Sequence, residues 1–230
     1  DTVWQIAAVQ RDWGNREDRK QARLKYTVDR VGVGTFKMEL EKRLGFTFLK
    51  PKEFKFTYRG DDFDWTQDVD GKWYYTLFVE NGRVMDMEDN PIRTALMAIA
   101  QTGKAGFRFT ANQNVILTRI SDADKPEIEA LIRQYGLETK QRNTTRTRKE
   151  AMACVSLPTC PLALAEAQRY MPDLLTKVEA LLEKHGLANE RITIRMTGCP
   201  NGCARPYAAE LGFVGKSAGK YNMMIGGDVA

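Results

Sequence analysis

Apolar positions recur along this chain with two periods, and the changes of period mark its elements. Residues 15 to 45, "NREDRKQARLKYTVDRVGVGTFKMELEKRLG", are charge-dense with apolar residues at intervals, which predicts one or two helices broken around Gly32 and Gly34 and stopped at Gly45. Residues 46 to 72 read as a linker arm. The aromatic and β-branched run "WYYTLFVENGRVMDM", residues 73 to 87, folds back at Asn81-Gly82 and predicts a hairpin. "PIRTALMAIAQTG" predicts a helix with Pro91 near its start and Gly103 as its stop. "GFRFTANQNVILTRI", residues 106 to 120, predicts one long strand, and "DKPEIEALIRQYGL" a further helix. A basic loop, "KQRNTTRTRKE", follows. Leu174, Leu175, Val178, Leu181 and Leu182 then recur at helical spacing before a Lys-His-Gly ending, and "RITIRM" reads as a strand. The order hairpin, helix, strand, helix is that of an α+β unit.

Composition narrows the class. With 230 residues and 43% hydrophobic content, the chain can bury a sizeable core. No run of about 18 apolar residues and no basic-then-apolar leader occurs, so neither a membrane span nor a secretory signal is expected, and the cytoplasm is the expected location. The net charge of +5 suits nucleic acid, acidic lipid or a polyanionic cofactor equally. The chain opens on Asp1 without an initiator Met, and "YNMMIGGDVA" ends where a strand leads into glycines, so both ends are expected to lie inside a longer chain.

The cysteines change the picture most. All four fall in two short loops, Cys154 and Cys160 in "ACVSLPTCPLA" and Cys199 and Cys203 in "TGCPNGCARP". Without a signal peptide, paired cysteine loops read as metal ligands before disulfides. Structural zinc favours gaps of two to four residues, which the second pair meets and the first, with five, does not. Free buried thiols, a zinc site and an iron-sulfur cluster are all compatible with the spacing. Gly198 and Gly202, which let the backbone approach closely, and Pro200, which fixes the loop's path, favour the cluster.

At these residues the chain resembles a known family. "ACVSLPTCPLALAEAQRYMP" and "TGCPNGCARPYAAELGFVGK" resemble the signature of the sulfite and nitrite reductase hemoproteins, the siroheme and 4Fe-4S family. "VQRDWGNREDRKQARLKYTVDRVG" and "FRFTANQNVILTRI" resemble the C-terminal half of its assimilatory NADPH-type sulfite reductase members, the beta components. The resemblance implies a [4Fe-4S] cluster on Cys154, Cys160, Cys199 and Cys203, with Cys203 also the axial ligand of a siroheme. It implies six-electron reduction of sulfite to sulfide, with electrons from an NADPH-dependent flavoprotein, the alpha component. The implied fold is α+β: a ferredoxin-like sulfite/nitrite reductase half-domain followed by an α/β siroheme and iron-sulfur binding domain. The expected division is a helical segment over 1–45, a linker arm over 46–72, the half-domain over 73–140, and the cofactor domain over 141–230, truncated at its C-terminus.

Other residues are read both ways. Asn112, Gln113 and Asn114 sit in the middle of the predicted strand, where amides are disfavoured unless they satisfy a ligand or a neighbouring backbone; a siroheme contact and a bulge or edge position are the two readings. Asn201 in the second loop joins the expected siroheme contacts. Siroheme carries many carboxylates, which gives Arg19 and Arg23 a role at its rim; a solvated helix face is the alternative for these and for Arg11, Arg16, Lys20 and Lys25. His185, the only histidine, precedes Gly186 at a helix end and suits a dipole contact better than a haem. The family's first half supplies most substrate- and siroheme-binding basic residues, and nothing resembling it is present, so that N-terminal half is an expected partner and the chain alone is expected to be inactive. Two other classes remain: a ferredoxin-dependent nitrite or sulfite reductase, and a basic nucleic-acid-binding protein with a metal site. The second is weakened because its basic residues are interspersed with acidic ones and no nucleic-acid module is recognisable.

Overall fold

The structure, a computed structural model, describes residues 1–54 and 60–227. Its contacts divide the chain into two units, Asp1–Thr57 and Tyr58–Ala230.

The first unit contains helices α1 (Thr2–Trp13), α2 (Leu24–Val31) and α3 (Val33–Leu44), with a short 3-10 turn at Arg19–Gln21. Its small core is Val9, Phe36 and Leu40, fringed by Ile6, Trp13, Val28, Val31 and Phe48. Ile6, Val9 and Trp13 repeat at helical spacing on α1, and Phe36 and Leu40 on α3, so the helices bury matching stripes. The predicted break falls at Gly32, whose φ of 83° ends α2, whereas Gly34 lies inside α3; Gly45, at φ 74°, ends that helix. Helix α1 lies within the helical segment expected over 1–45, although Val3 and Trp4 are exposed and the run Ile6-Ala7-Ala8-Val9 obscures its period.

The second unit holds two four-stranded sheets. The first is antiparallel, with β1 (Asp64–Gln67), β2 (Trp73–Leu77), β3 (Gly106–Phe109) and β4 (Val115–Ile120) in the order β1-β2-β4-β3. Tyr75, Leu77 and Val79 alternate inward from β2, and Val115, Leu117 and Ile120 from β4. Helices α4 (Ile92–Gln101) and α5 (Lys125–Gln134) complete this core with Ile92, Ala95, Ile99, Ile128 and Ile132.

Three expectations are corrected here. The stretch read as a linker arm over 46–72 contains β1, joined to β2 as a tight hairpin with Gln67 opposite Trp73 and Gly71 of the turn at φ 72°; its residues 55–59 lie outside the described residues. Asn81 and Gly82 take the paired left-handed conformation of a hairpin turn, at φ 50° and 69°, but no returning strand follows, because β2 is flanked by β1 and β4. The single long strand over 106–120 is instead the hairpin β3–β4, so Asn112, Gln113 and Asn114 form its turn, with Gln113 at φ 70°.

The basic loop is also helical, as α6 (Leu137–Asn143) and α7 (Arg146–Glu150). Thr145 caps α7 by accepting the Arg148 N–H, and acidic partners neutralise the run: Arg142 pairs with Glu138 and Arg148 with Glu80 and Glu179, each at 2.7 Å.

The second sheet contains β5 (Met152–Ala153), β6 (Ile194–Thr197), β7 (Leu211–Ser217) and β8 (Lys220–Ile225) in sequence order. The first three are parallel and β8 is antiparallel to β7. Helix α8 (Met171–Lys184) makes the crossover that a parallel pair requires, burying Met171 and Leu175 against Ala153, Ala167, Ile194 and Met196. His185 caps its C-terminus and is exposed. Among the described residues no helix is long and apolar enough to cross a membrane.

Candidate functional site

Strands β5 and β6 are parallel neighbours, so their C-terminal ends lie side by side, and each runs into one cysteine loop. Cys154 follows the last residue of β5, and Cys199 lies two residues beyond β6. Open α/β sheets bind ligands at such carboxyl ends. Cys154 stays in register: its N–H donates to the Met196 carbonyl and its own carbonyl accepts the Gln168 N–H, both at 3.1 Å.

The two loops interlock at Gly198. Its N–H donates to Cys154 Sγ at 3.3 Å, and its carbonyl accepts the N–H groups of Leu164 at 2.8 Å and Ala165 at 3.1 Å, just past Cys160. A Cβ here would collide with Ser156 Oγ and lie 2.6 Å from the Ala165 carbonyl oxygen, so only glycine permits the approach. Ser156, itself at φ 50°, accepts the Cys160 N–H at its carbonyl, 2.8 Å away.

The second loop doubles back through Gly202 at φ 69°, whose N–H faces the Cys199 carbonyl and whose carbonyl accepts the Arg205 N–H at 2.8 Å. Tyr207 closes its ring against Gly202 and donates its hydroxyl to the Pro200 carbonyl at 3.2 Å. From beneath, the buried Arg195 of β6 donates to the Arg205 and Ala208 carbonyls, both at 3.4 Å. Cys199 is buried, Cys154 and Cys160 are half-buried, and Cys203 is exposed, with Asn201 exposed beside it. Val155, Leu162, Leu164 and Tyr207 form an exposed apolar fringe.

Electrostatics agree with a cationic occupant. Burial pushes the Cys154 thiol up, the Gly198 N–H opposes it, and the neighbouring Cys203 and Cys199 push it up further. A metal bound at Cys154 would favour the deprotonated sulfur against that burial. Among the described residues no three His, Cys, Asp or Glu side chains converge closely enough to hold one metal ion. Tetrahedral zinc needs that convergence, whereas a cubane takes one thiolate at each of four irons, so its donors stand apart. The buried Thr197 hydroxyl, next to Gly198, is a polar atom without a hydrogen-bond partner under the same loops. Four free cysteines on two loops that interlock at Gly198 are a donor set that fits an iron-sulfur cluster.

The other predicted residues distribute unevenly. The amides of the β3–β4 turn are brought to the cysteine loops and engage protein atoms: Gln113 bonds both backbone groups of Ala153, Asn112 accepts from Arg205, and Asn112 and Asn114 donate to Asp61. Asn114 is buried and also accepts the Val79 N–H. Arg19, in the 3-10 turn, and Arg23, before α2, are exposed residues of the first unit. Sequence reasoning missed Arg195, Arg205, Ser156 and Tyr207. An arginine wedged between Cys203 and Pro206 was the one available signal.

Comparison with known proteins adds the family. A model of the nitrite and sulphite reductase 4Fe-4S domain matches residues 1–48, and one of the nitrite/sulfite reductase ferredoxin-like half domain matches residues 66–135. The sulfite reductase [NADPH] hemoprotein beta-component of Leptospira biflexa is 56% identical over 98% of this chain, and that of Dickeya chrysanthemi 51% identical over 97%. This chain belongs to the nitrite and sulphite reductase family. It spans 41% and 39% of the length of those two relatives. The solved structure of Mycobacterium tuberculosis NirA protein superposes with a TM-score of 0.77 at 28% identity, over 99% of this chain and 43% of that one. Within the nitrite and sulphite reductase fold the chain is mixed α+β, as expected. The first match lies within the first unit and the second runs from β1 to α5; the cysteine loops lie outside both, in the stretch that the relatives' alignments cover.

Proposed function

We propose that this chain is the part of a sulfite reductase hemoprotein that holds a [4Fe-4S] cluster on Cys154, Cys160, Cys199 and Cys203 and shares Cys203 with a siroheme. The whole protein would reduce sulfite to sulfide with six electrons. The observation that carries this reading is the interlock at Gly198, which draws two cysteine loops distant in sequence into one thiol-lined edge. The relatives support sulfite as the substrate: the Leptospira biflexa protein, 56% identical, and the Dickeya chrysanthemi protein, 51% identical, are both named sulfite reductase hemoproteins.

When bound, the coupled cofactors supply electrons and an open coordination position for the anion. The chain's own residues orient and shield. Gly198 directs an N–H at the Cys154 sulfur, and such hydrogen bonds tune a cluster's potential. Cys203 is the exposed thiol of the four, which supports it as the shared ligand. Asn201 on the second loop and Asn112, Gln113 and Asn114 on the β3–β4 turn are the proposed siroheme contacts, each of the three turn amides also bonding protein atoms. Arg19 and Arg23 are proposed partners for siroheme carboxylates. The proposed division keeps a helical segment over 1–45, a half-domain over 73–140 that gains β1, and a cofactor domain over 141–230, whose residues 228–230 lie outside the described residues. An NADPH-dependent flavoprotein is the proposed electron donor, and the cytoplasm the proposed location.

Serine at any of the four cysteines should lower iron and acid-labile sulfide together in anaerobically prepared protein, because a cubane short of one thiolate is held far less well. Stoichiometric zinc without labile sulfide would overturn the reading. The isolated chain should form little sulfide from sulfite with reduced methyl viologen; a rate matching the whole hemoprotein would put the anion site within these residues.

A further inference from the structure

We infer that the β3–β4 turn is a positioning clamp for both cysteine loops, with Gln113 holding the strand that delivers Cys154 and Arg205 holding the loop that carries Cys203. This rests on the cluster reading above.

Gln113 treats Ala153 as a sheet neighbour would. Its Nε2 donates to the Ala153 carbonyl at 2.8 Å, and its Oε1 accepts the Ala153 N–H at 3.3 Å, one residue before Cys154. Strand β5 has only two residues, and its other flank is β6, so this side-chain amide completes a ladder that the backbone leaves short. Two residues past Cys203, Arg205 reaches back from the second loop. Its Nη2 donates to the Ala111 carbonyl at 2.9 Å and to Asn112 Oδ1 at 3.1 Å, and it touches Met152 Sδ. One turn of the first sheet thus grips the supports of two ligands from the two different loops.

Both gripping residues sit in left-handed backbone, Gln113 at φ 70° and Arg205 at φ 54°. Non-glycine residues hold that conformation only where their surroundings over-determine it, and such residues gather at functional sites. A glycine at either position would relax the backbone and forfeit the grip, which separates clamping from simple stability.

The test uses the protein purified anaerobically with its cluster, in parental form and as Arg205→Gly, Gln113→Ala and Arg205→Lys. Three quantities are read: iron release to a ferrous chelator, the electron paramagnetic resonance line shape of the reduced cluster, and thermal unfolding of the apoprotein. Removal of groups that orient metal ligands typically weakens metal holding by about 10-fold or more, so iron release should quicken by about that factor in Arg205→Gly and Gln113→Ala. The line shape should change with it, Arg205→Lys should recover part of the effect by keeping one donor, and apoprotein unfolding in Arg205→Gly should stay near parental. Iron release and line shape unchanged in both variants would overturn the clamp. So would quickened release that merely tracks lower apoprotein stability. Parental protein without labile sulfide would instead sink the cluster reading, and the clamp with it.

Discussion

Both sheets of the second unit bury large side chains, Met171, Leu175, Ile194 and Met196 in the second, but they differ in how closely backbone meets backbone. The β1–β4 sheet fills its core with volume: Tyr75, Leu77, Ile92, Ile99, Leu117, Ile120, Ile128 and Ile132 are almost wholly buried. Around the β5–β8 sheet the closest approaches are backbone on backbone. A Cβ at Gly198, Gly212 or Gly215 would collide with Ser156 and Ala165, with Pro206, or with Gly198 itself, and Ala151, Ala153, Ala165, Ala167, Ala204 and Ala209 are all buried. Large side chains make a core that tolerates small losses, because neighbours relax. Small residues bring N–H groups and carbonyls within reach of sulfur, and leave no slack for addition.

One-carbon changes test that contrast. Gly198→Ala adds a carbon against the Ala165 carbonyl, which cannot swing aside as a side-chain end would. It should cost about 3 kcal/mol or more, beyond ordinary overpacking, and abolish cluster incorporation. Hydrogen exchange should show β5 and β6 losing protection while β2 and β4 keep theirs; equal loss in both sheets would contradict the division of labour. Ile132→Val removes one carbon from the other core and should cost about 1 kcal/mol by denaturant titration, with cluster content unchanged. Gly34→Ala adds a carbon inside a helix with nothing within 4 Å, and should raise the first unit's stability by about 0.7 kcal/mol. A loss there would mean that glycines matter for reasons other than close approach.

What the sequence disclosed follows the same contrast. Helices α4, α5 and α8 were legible because apolar spacing, Pro91 and the terminal glycines are local signals. The two cysteine loops were legible as candidate ligand loops because the clustering within each and Gly198 are local too, whereas their interlock at Gly198 joins residues distant in sequence. Strand β1 was overlooked although Asp70-Gly71, in the turn that joins it to β2, is a local signal, and the Asn81-Gly82 turn misled because its backbone is right while both edges of β2 are already taken. The amides at 112 to 114 were noticed as out of place in a strand. Their work, docking one sheet onto the other's cysteine loops, depends on Ala153, Asp61 and Arg205, which lie far off in sequence. Arg205 went unread because an arginine in a basic chain carries no signal until its partners are known.

The parallel pairing of β5 with β6 also has a consequence in time. Chains fold from the N-terminus as they are made, and a parallel pair forms slowly because its crossover must be complete before any contact rewards it. Cys154 and Cys160 therefore emerge well before β6 and the Gly198 N–H exist to receive them. In that interval they are ordinary accessible thiols, open to sulfenic acid formation and mixed disulfides. A burst of oxidant during synthesis should leave fewer free thiols at Cys154 and Cys160 than the same burst applied to the finished molecule, as read by thiol alkylation and mass spectrometry.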